Sequence, residues 1–279
     1  MGRSGRQTHA FGPNGWFQAH GVDREALLSV LKASGALRRL PAGTASELER
    51  WYGDPRTNRT FAFVDAVLGP VRAVEAMRRI RRLAVGIVGC GGIGSATAYL
   101  LAGLGVRQFV LVDPDRIEEG NLTRQVLYTL GDVGRPKVSV LSEALAARFR
   151  DMQLRAIVGH GQHRAASKWL DRTDCIVCGG DDPPTLHSEL QASHPSVPVW
   201  GCGYAVGRSL VIPPRAPAPR TRTSETIAWR SVADGFAPSV GFQNFEIAAR
   251  CVAMILLEHD IQEARRGYGF SYASFSPGL

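Results

Sequence analysis

The sequence predicts an α/β protein: a doubly wound, mostly parallel Rossmann-like sheet preceded by a small helical N-terminal domain. Two observations carry this. From Leu83 onward, short apolar runs alternate with helix-forming stretches, and the first run, "AVGIV" (84–88), leads into a glycine turn and an alanine- and leucine-rich helix, "GCGGIGSATAYLLAGLG". Before Leu83 the pattern is helical throughout.

In the N-terminal part, "VDREALLSVLKASG" offers Asp23 as an N-cap, apolar residues at Ala26, Leu27, Val30 and Leu31, and Gly35 as a stop. "TASELERWYG" is expected to open on a Thr44/Glu47 capping box and to close at Gly53. "FAFVDAVLGPVRAVEAMRRI" reads as two helices joined at Gly69-Pro70. Residues 1–83 therefore read as a recognition module and 84–279 as a second domain.

In the second domain, "AVGIV" and "QFVLVD" (108–113) are continuous apolar runs, as expected of strands buried on both faces. "PKVSVLSEALAARF" follows as a helix with Pro136 in its first turn. Further strands are expected at "RAIVG" (155–159), "DCIVCGG" (174–180) and "VPVWGCGY" (197–204). The Pro/Arg/Thr-rich stretch 215–226 reads as a surface-crossing loop, and "NFEIAARCVAMILLEHD" as a final helix against the sheet.

The 279 residues, 44% of them apolar, suffice for one large core and a small second domain. No run approaches the roughly 18 apolar residues of a membrane span, and no apolar block marks a signal peptide, so a soluble cytoplasmic protein is expected. Five cysteines lie in apolar segments, an odd count that argues against a disulfide framework. The formal charge of +8 is rich in arginine, as in "RRIRR" (78–82), and favours an anionic partner such as ATP, an acidic peptide or RNA.

Gly89, Gly91, Gly92 and Gly94 form GxGGxG, and Asp113 ends the second strand 24 residues after Gly89, where a carboxylate accepts from ribose hydroxyls. Those features fit NAD and ATP alike. The stretch "LVDPDRIEEGNLTRQVLYTLGDVGRPK" then places Asn121, Arg124 and Lys137 at the carboxyl edge of the sheet. A diphosphate needs only a helix N-terminus, whereas a departing pyrophosphate needs cations. "GGDD" follows, with Asp181 placed to hold a Mg²⁺ ion beside Asp182.

"GCGGIG", "NLTRQVL" and "DVGRPK" resemble the ThiF/MoeB adenylyltransferase group, related to ubiquitin-activating enzymes, and most of all its microcin-type MccB/PaaA branch. The resemblance covers about residues 84–260 and implies that a carboxylate attacks the α-phosphate of ATP. Carried over position by position, it implies Asp113 at the ribose and Asn121, Arg124 and Lys137 at the phosphates, with Asp115 and Gln125 also among the nucleotide-binding residues. It further implies Asp181 at magnesium, with ATP as the consumed substrate. Family members are commonly homodimers in which an arginine ahead of the nucleotide fold reaches the partner's ATP. "DPRTNRTF" occupies that place, with Arg59 as the candidate and Arg56 in reserve.

Two family features are missing. A structural zinc needs two CxxC pairs, and the one pair here, Cys175 with Cys178, falls in an expected strand that turns the two side chains apart. No zinc is expected. Nor is there any cysteine between Cys202 and Cys251 to carry a thioester. The sequence thus reads as an enzyme adenylating a carboxylate of a ribosomally made precursor peptide. The alternatives are a tRNA threonylcarbamoyl-adenosine dehydratase, a sulfur-carrier-protein adenylyltransferase, or a non-catalytic scaffold. His160 and His163 read as exposed loop residues, and His187 and His194 as lacking partners. Trp200 and Tyr204 fit a cleft or the core, and Phe236 and Pro238 a structural turn.

Overall fold

A computed structural model describes residues 23, 25, 26, 29, 33, 43–180, 185–205, 208–214 and 239–257. The chain divides into two compact units, Met1–Met77 and Arg78–Leu279.

In the first unit, Asp23 caps as expected: its Oδ1 accepts from the N–H groups of Glu25 and Ala26 at 3.0 and 3.2 Å. Helix α1 (Thr44–Gly53) departs from expectation. Gly43, left-handed at φ 84°, is the capping residue, and no side chain caps the helix. Thr44 is already helical, so the Thr44/Glu47 box does not form; Ser46 instead donates its hydroxyl back to the Gly43 carbonyl at 2.9 Å. Helices α2 (Asn58–Leu68) and α3 (Pro70–Arg82) meet at Gly69, as the Gly-Pro pair predicts. Gly69 turns at φ 78° and donates to the Asp65 carbonyl at 2.8 Å. Trp51 stacks on buried Phe61 with ring centres 6.0 Å apart, and Tyr52 meets the same ring edge-on. The Tyr52 hydroxyl donates to the Asp65 carboxylate; burial and that carboxylate push its phenol up to about 12.

The second unit holds β1 (Ala84–Val88), α4 (Gly92–Leu104), β2 (Gln108–Asp113), α5 (Lys137–Arg148), β3 (Gln153–Val158) and α6 (Arg164–Leu170). There follow β4 (Cys175–Cys178), α7 (Leu186–Ser193), β5 (Val199–Ala205), β6 (Arg208–Ile212) and α8 (Gly241–Leu257). The sheet order is β3-β2-β1-β4-β5-β6, parallel from β3 to β5, with β6 returning antiparallel. Alternation sorts the side chains. Val88, Val112, Ile176, Cys178 and Val199 pack with α6 and α7 on one face. Ile87, Leu111 and Val177 point the other way and are equally buried, on the side of α4 and α8. Gly86 admits Leu170 between: a Cβ there would lie 2.7 Å from Leu170 Cδ2.

Two expectations are corrected, for β3 and for His194, and one open choice is decided. β3 begins two residues before the expected "RAIVG" and is largely exposed, because it is the outer strand. Of the two places the sequence left open for Trp200, cleft or core, the structure gives the core. His194 is fully buried and has a partner: its Nδ1 lies 2.6 Å from Asp171 Oδ1. His187, half-buried with its pKa lowered by that burial, sits near the Val199 carbonyl. His160 and His163 are exposed, as expected. Helix α6 and strand β6 were not predicted. The stretch 215–226, Phe236 and Pro238 lie outside the described residues, as does the side chain of Tyr204. No described helix is long and apolar enough to cross a membrane.

Candidate functional site

The strand order reverses between β1 and β4, so the crevice at their carboxyl ends is where an open α/β sheet takes a ligand. The glycine turn fills it, and each glycine has its own reason. Gly89 is left-handed at φ 88°, and a Cβ there would lie 2.4 Å from the Gly180 nitrogen. At Gly94 a Cβ would lie 1.8 Å from the Gly89 carbonyl oxygen, and at Gly92 it would lie 2.1 Å from Asn244 Nδ2. Gly91 differs: the nearest atom, Gln125 Nε2, is 3.6 Å away. Protein packing therefore dictates three of the glycines, while room remains at Gly91, the residue that caps α4. No side chain caps that helix, and its N-terminal N–H groups favour an anion.

Asp113 locks the turn to the end of β2. Its Oδ2 accepts from the Cys90 N–H at 2.5 Å and its Oδ1 from the Asp115 N–H at 2.7 Å. Burial pushes this carboxyl above its ordinary range, opposed by those two hydrogen bonds and by Lys137. Each oxygen keeps a second lone pair for a hydroxyl donor. Lys137 is buried at the start of α5 and donates to Asp115 Oδ2 at 2.7 Å. Tyr128, which the sequence reading missed, ties these parts together. Its hydroxyl donates to the Cys90 carbonyl at 2.6 Å and lies 3.4 Å from that of Lys137.

The turn Glu119–Asn121 positions the remaining residues. Asn121, expected at a phosphate, spends its Oδ1 on the Glu118 N–H at 3.2 Å, and its main-chain carbonyl accepts from Arg124 and Gln125. That oxygen has a positioning role. Arg124 is half-buried, its Nη1 donating to the Gly120 carbonyl at 2.9 Å. Gln125 is 3% exposed, and its Oε1 has no hydrogen-bond partner. The amide nitrogen is the end that faces Gly91, and the buried oxygen is an acceptor still lacking a donor. Asn244, buried on the first turn of α8 against Gly92, was also missed. Nothing in the sequence set it apart from the other polar residues of that helix, Gln243, Glu246 and Arg250.

Asp181 and Asp182 lie outside the described residues. Among the described residues no three His, Cys, Asp or Glu side chains converge to hold a metal, and the carboxylates beside the turn are engaged by N–H groups and Lys137. Arg59 and Arg56 belong to the first unit. Arg56 forks onto Asp54 at 2.9 and 2.8 Å, whereas exposed Arg59 has no side-chain partner among the described residues. Cys90 lies buried inside the turn, its thiol pushed up first by burial and then by Asp113. Cys175 and Cys178 are buried three residues apart on β4, and Cys202 and Cys251 are buried on β5 and α8.

The fold and the crevice define an open α/β domain with a ligand site at the strand-order reversal, and residues 65–194 match the ThiF family. Over 121 residues it is 33% identical to the sulfur carrier protein ThiS adenylyltransferase of Escherichia coli, covering 43% of this chain and 48% of that protein. Over 142 residues it is 36% identical to the probable adenylyltransferase/sulfurtransferase MoeZ of Mycobacterium tuberculosis, covering 48% and 35%. The chain thus spans less than half the length of these relatives. Among solved structures it is similar to E. coli MccB with ATP (TM-score 0.62, 23% identity, 81% of this chain and 73% of that one). It is also similar to PaaA (TM-score 0.59, 19% identity, 88% and 78%). These structural likenesses establish the fold.

Proposed function

We propose that this protein is an ATP-dependent adenylyltransferase that activates a carboxylate of a ribosomally made peptide without an enzyme thioester. The observation that carries the reading is the pairing of a roomy, uncapped helix N-terminus at Gly91 with two cations, Lys137 and Arg124, built around the same turn. In this reading the α4 N-terminus holds phosphates and Asp113 accepts from the ribose. The peptide carboxylate attacks the α-phosphorus, the bond to the β-phosphate bridging oxygen breaks, and negative charge moves onto pyrophosphate. Lys137 and Arg124 stabilise that charge, with Arg59 supplied across a homodimer. We assign Asp181 to a Mg²⁺ ion that screens the phosphates. The burial of all five cysteines supports capture of the adenylate by a nucleophile other than an enzyme thiol. The N-terminal unit then serves to grip the peptide.

A second reading has its own support: the sequence relatives are named for sulfur carrier proteins. ATP–pyrophosphate exchange separates the two. Exchange stimulated by a short precursor peptide, and not by a sulfur carrier protein or tRNA, is the expected result. Stimulation by the carrier alone moves the assignment to the second reading, and stimulation by tRNA alone moves it to a nucleoside-modifying enzyme.

A further inference from the structure

We propose that the opposite end of the sheet carries a second binding site, a groove for an extended acidic polypeptide segment laid along β3. A cavity of about 310 Å³ opens at the amino ends of β1, β2 and β3, rimmed by Gln108, Gln153, Arg155, Trp169, Arg172 and Thr173. With β1 five residues long at about 3.3 Å per residue, it lies roughly 16 Å from the glycine turn. It belongs to no part of the candidate nucleotide site.

Two cations share one indole there. The guanidinium of Arg155 stacks 3.6 Å from the Trp169 ring centre, and that of Arg172 lies 4.9 Å from it. Neither arginine has an ion pair among the described residues. The adjacent carboxylates are committed elsewhere, Asp171 to His194 at 2.6 Å and Asp174 to the Ala84 N–H at 2.8 Å. A guanidinium stacked on an aromatic face keeps its N–H edge free, and that edge matches a carboxylate bidentately.

The strand supplies the rest. Among the described residues β3 is the outer strand, so one row of its backbone N–H and C=O groups faces no other described strand, and its last residue, Val158, is 59% exposed. Such an edge accepts an added strand, whose alternate side chains then fall on one face. Arg155 shares parity with Ile157, which packs on the α6 side, so those alternate side chains would meet the Arg155–Trp169–Arg172 set. Single-stranded nucleic acid instead needs free aromatic faces for its bases, and the Trp169 face is taken by Arg155. An acidic peptide is therefore the favoured occupant.

The test needs no nucleotide, so its outcome is separate from that of the adenylation reading. A fluorescein-labelled alternating Glu–Val peptide is titrated with the full chain by fluorescence anisotropy. R155E/R172E should raise its Kd about tenfold or more. R50E/R116E, the same change of charge elsewhere on the surface, should alter it less than about twofold. R155K/R172K keeps the charge but loses the fork, and should weaken binding several-fold if the geometry matters. Bound peptide should slow amide exchange across Gln153–Val158. Equal losses in the two charge-reversed proteins, unchanged exchange at β3, or tighter binding of an oligouridylate of equal charge would each overturn the proposal.

Discussion

Two glycines of one turn should respond to the same methyl group in opposite ways. In Gly94→Ala the new Cβ would lie 1.8 Å from the Gly89 carbonyl oxygen and 2.9 Å from its carbon. A carbon–oxygen contact rests near 3.3 Å, so about 1.5 Å of movement must come from backbone at the centre of the fold. Overpacking costs about 1–3 kcal/mol, and with rigid main chain on both sides the upper end applies. For a unit of this size that is a fall in Tm of about 6–12 °C. In Gly91→Ala the nearest atom is 3.6 Å away and φ is −72°, so only the capping preference is lost, about 1 kcal/mol. That methyl would nevertheless stand where phosphates must approach the α4 N-terminus, and ATP affinity should fall about tenfold or more. Calorimetric melting and ATP titration of both variants read the two effects. The reasoning fails if Gly91→Ala binds ATP as the parent does, or if Gly94→Ala melts within about 2 °C of it.

Lys137→Ala should slow adenylation about 10²–10³-fold, the scale of removing one donor to developing charge; single-turnover rates near the parent's would remove Lys137 from the reaction. Arg59→Ala should leave ATP binding unchanged while lowering the maximal rate by a similar factor, and mixing it with a Lys137→Ala protomer should restore activity if the arginine crosses a dimer. Absence of rescue would place its role within its own subunit or nowhere. Asp113 gives a pH prediction. Its carboxyl is raised above 3.8 mainly by burial, so the native state holds the proton more tightly than the unfolded chain does. Its contribution to stability is full below that value and declines as pH rises toward the native pKa. In urea unfolding, the stability of the parent relative to Asp113→Asn should shrink across that window; a difference that grows with pH would contradict this account.

The parts of the fold that were legible in the sequence were those where one residue type answers one constraint. The run "AVGIV" and its glycines locate β1, the turn and α4, because a buried parallel strand and a backbone-on-backbone contact leave little choice of residue. Gly69-Pro70 marks the α2–α3 junction for the same reason. What escaped was set by tertiary neighbours. β3 looked like any other strand until the order placed it at the edge. The Thr44/Glu47 pair matched a capping box, yet a left-handed Gly43 took the cap. Tyr128 and Asn244 reach the turn from 38 residues downstream and from the last helix, distances over which a single sequence carries no signal. Asn121 shows what the motif did not reveal: its side-chain oxygen holds its own loop, leaving the amide N–H groups as its donors.

The central claim is that the glycine turn receives a triphosphate that will lose pyrophosphate, and equilibrium binding tests it most directly. Titration of the full chain with ATP and, separately, with NADH should show ATP binding that weakens about tenfold in Lys137→Ala, and no uptake of NADH. Saturable NADH binding that is abolished by Gly91→Ala, with ATP failing to compete, would contradict it.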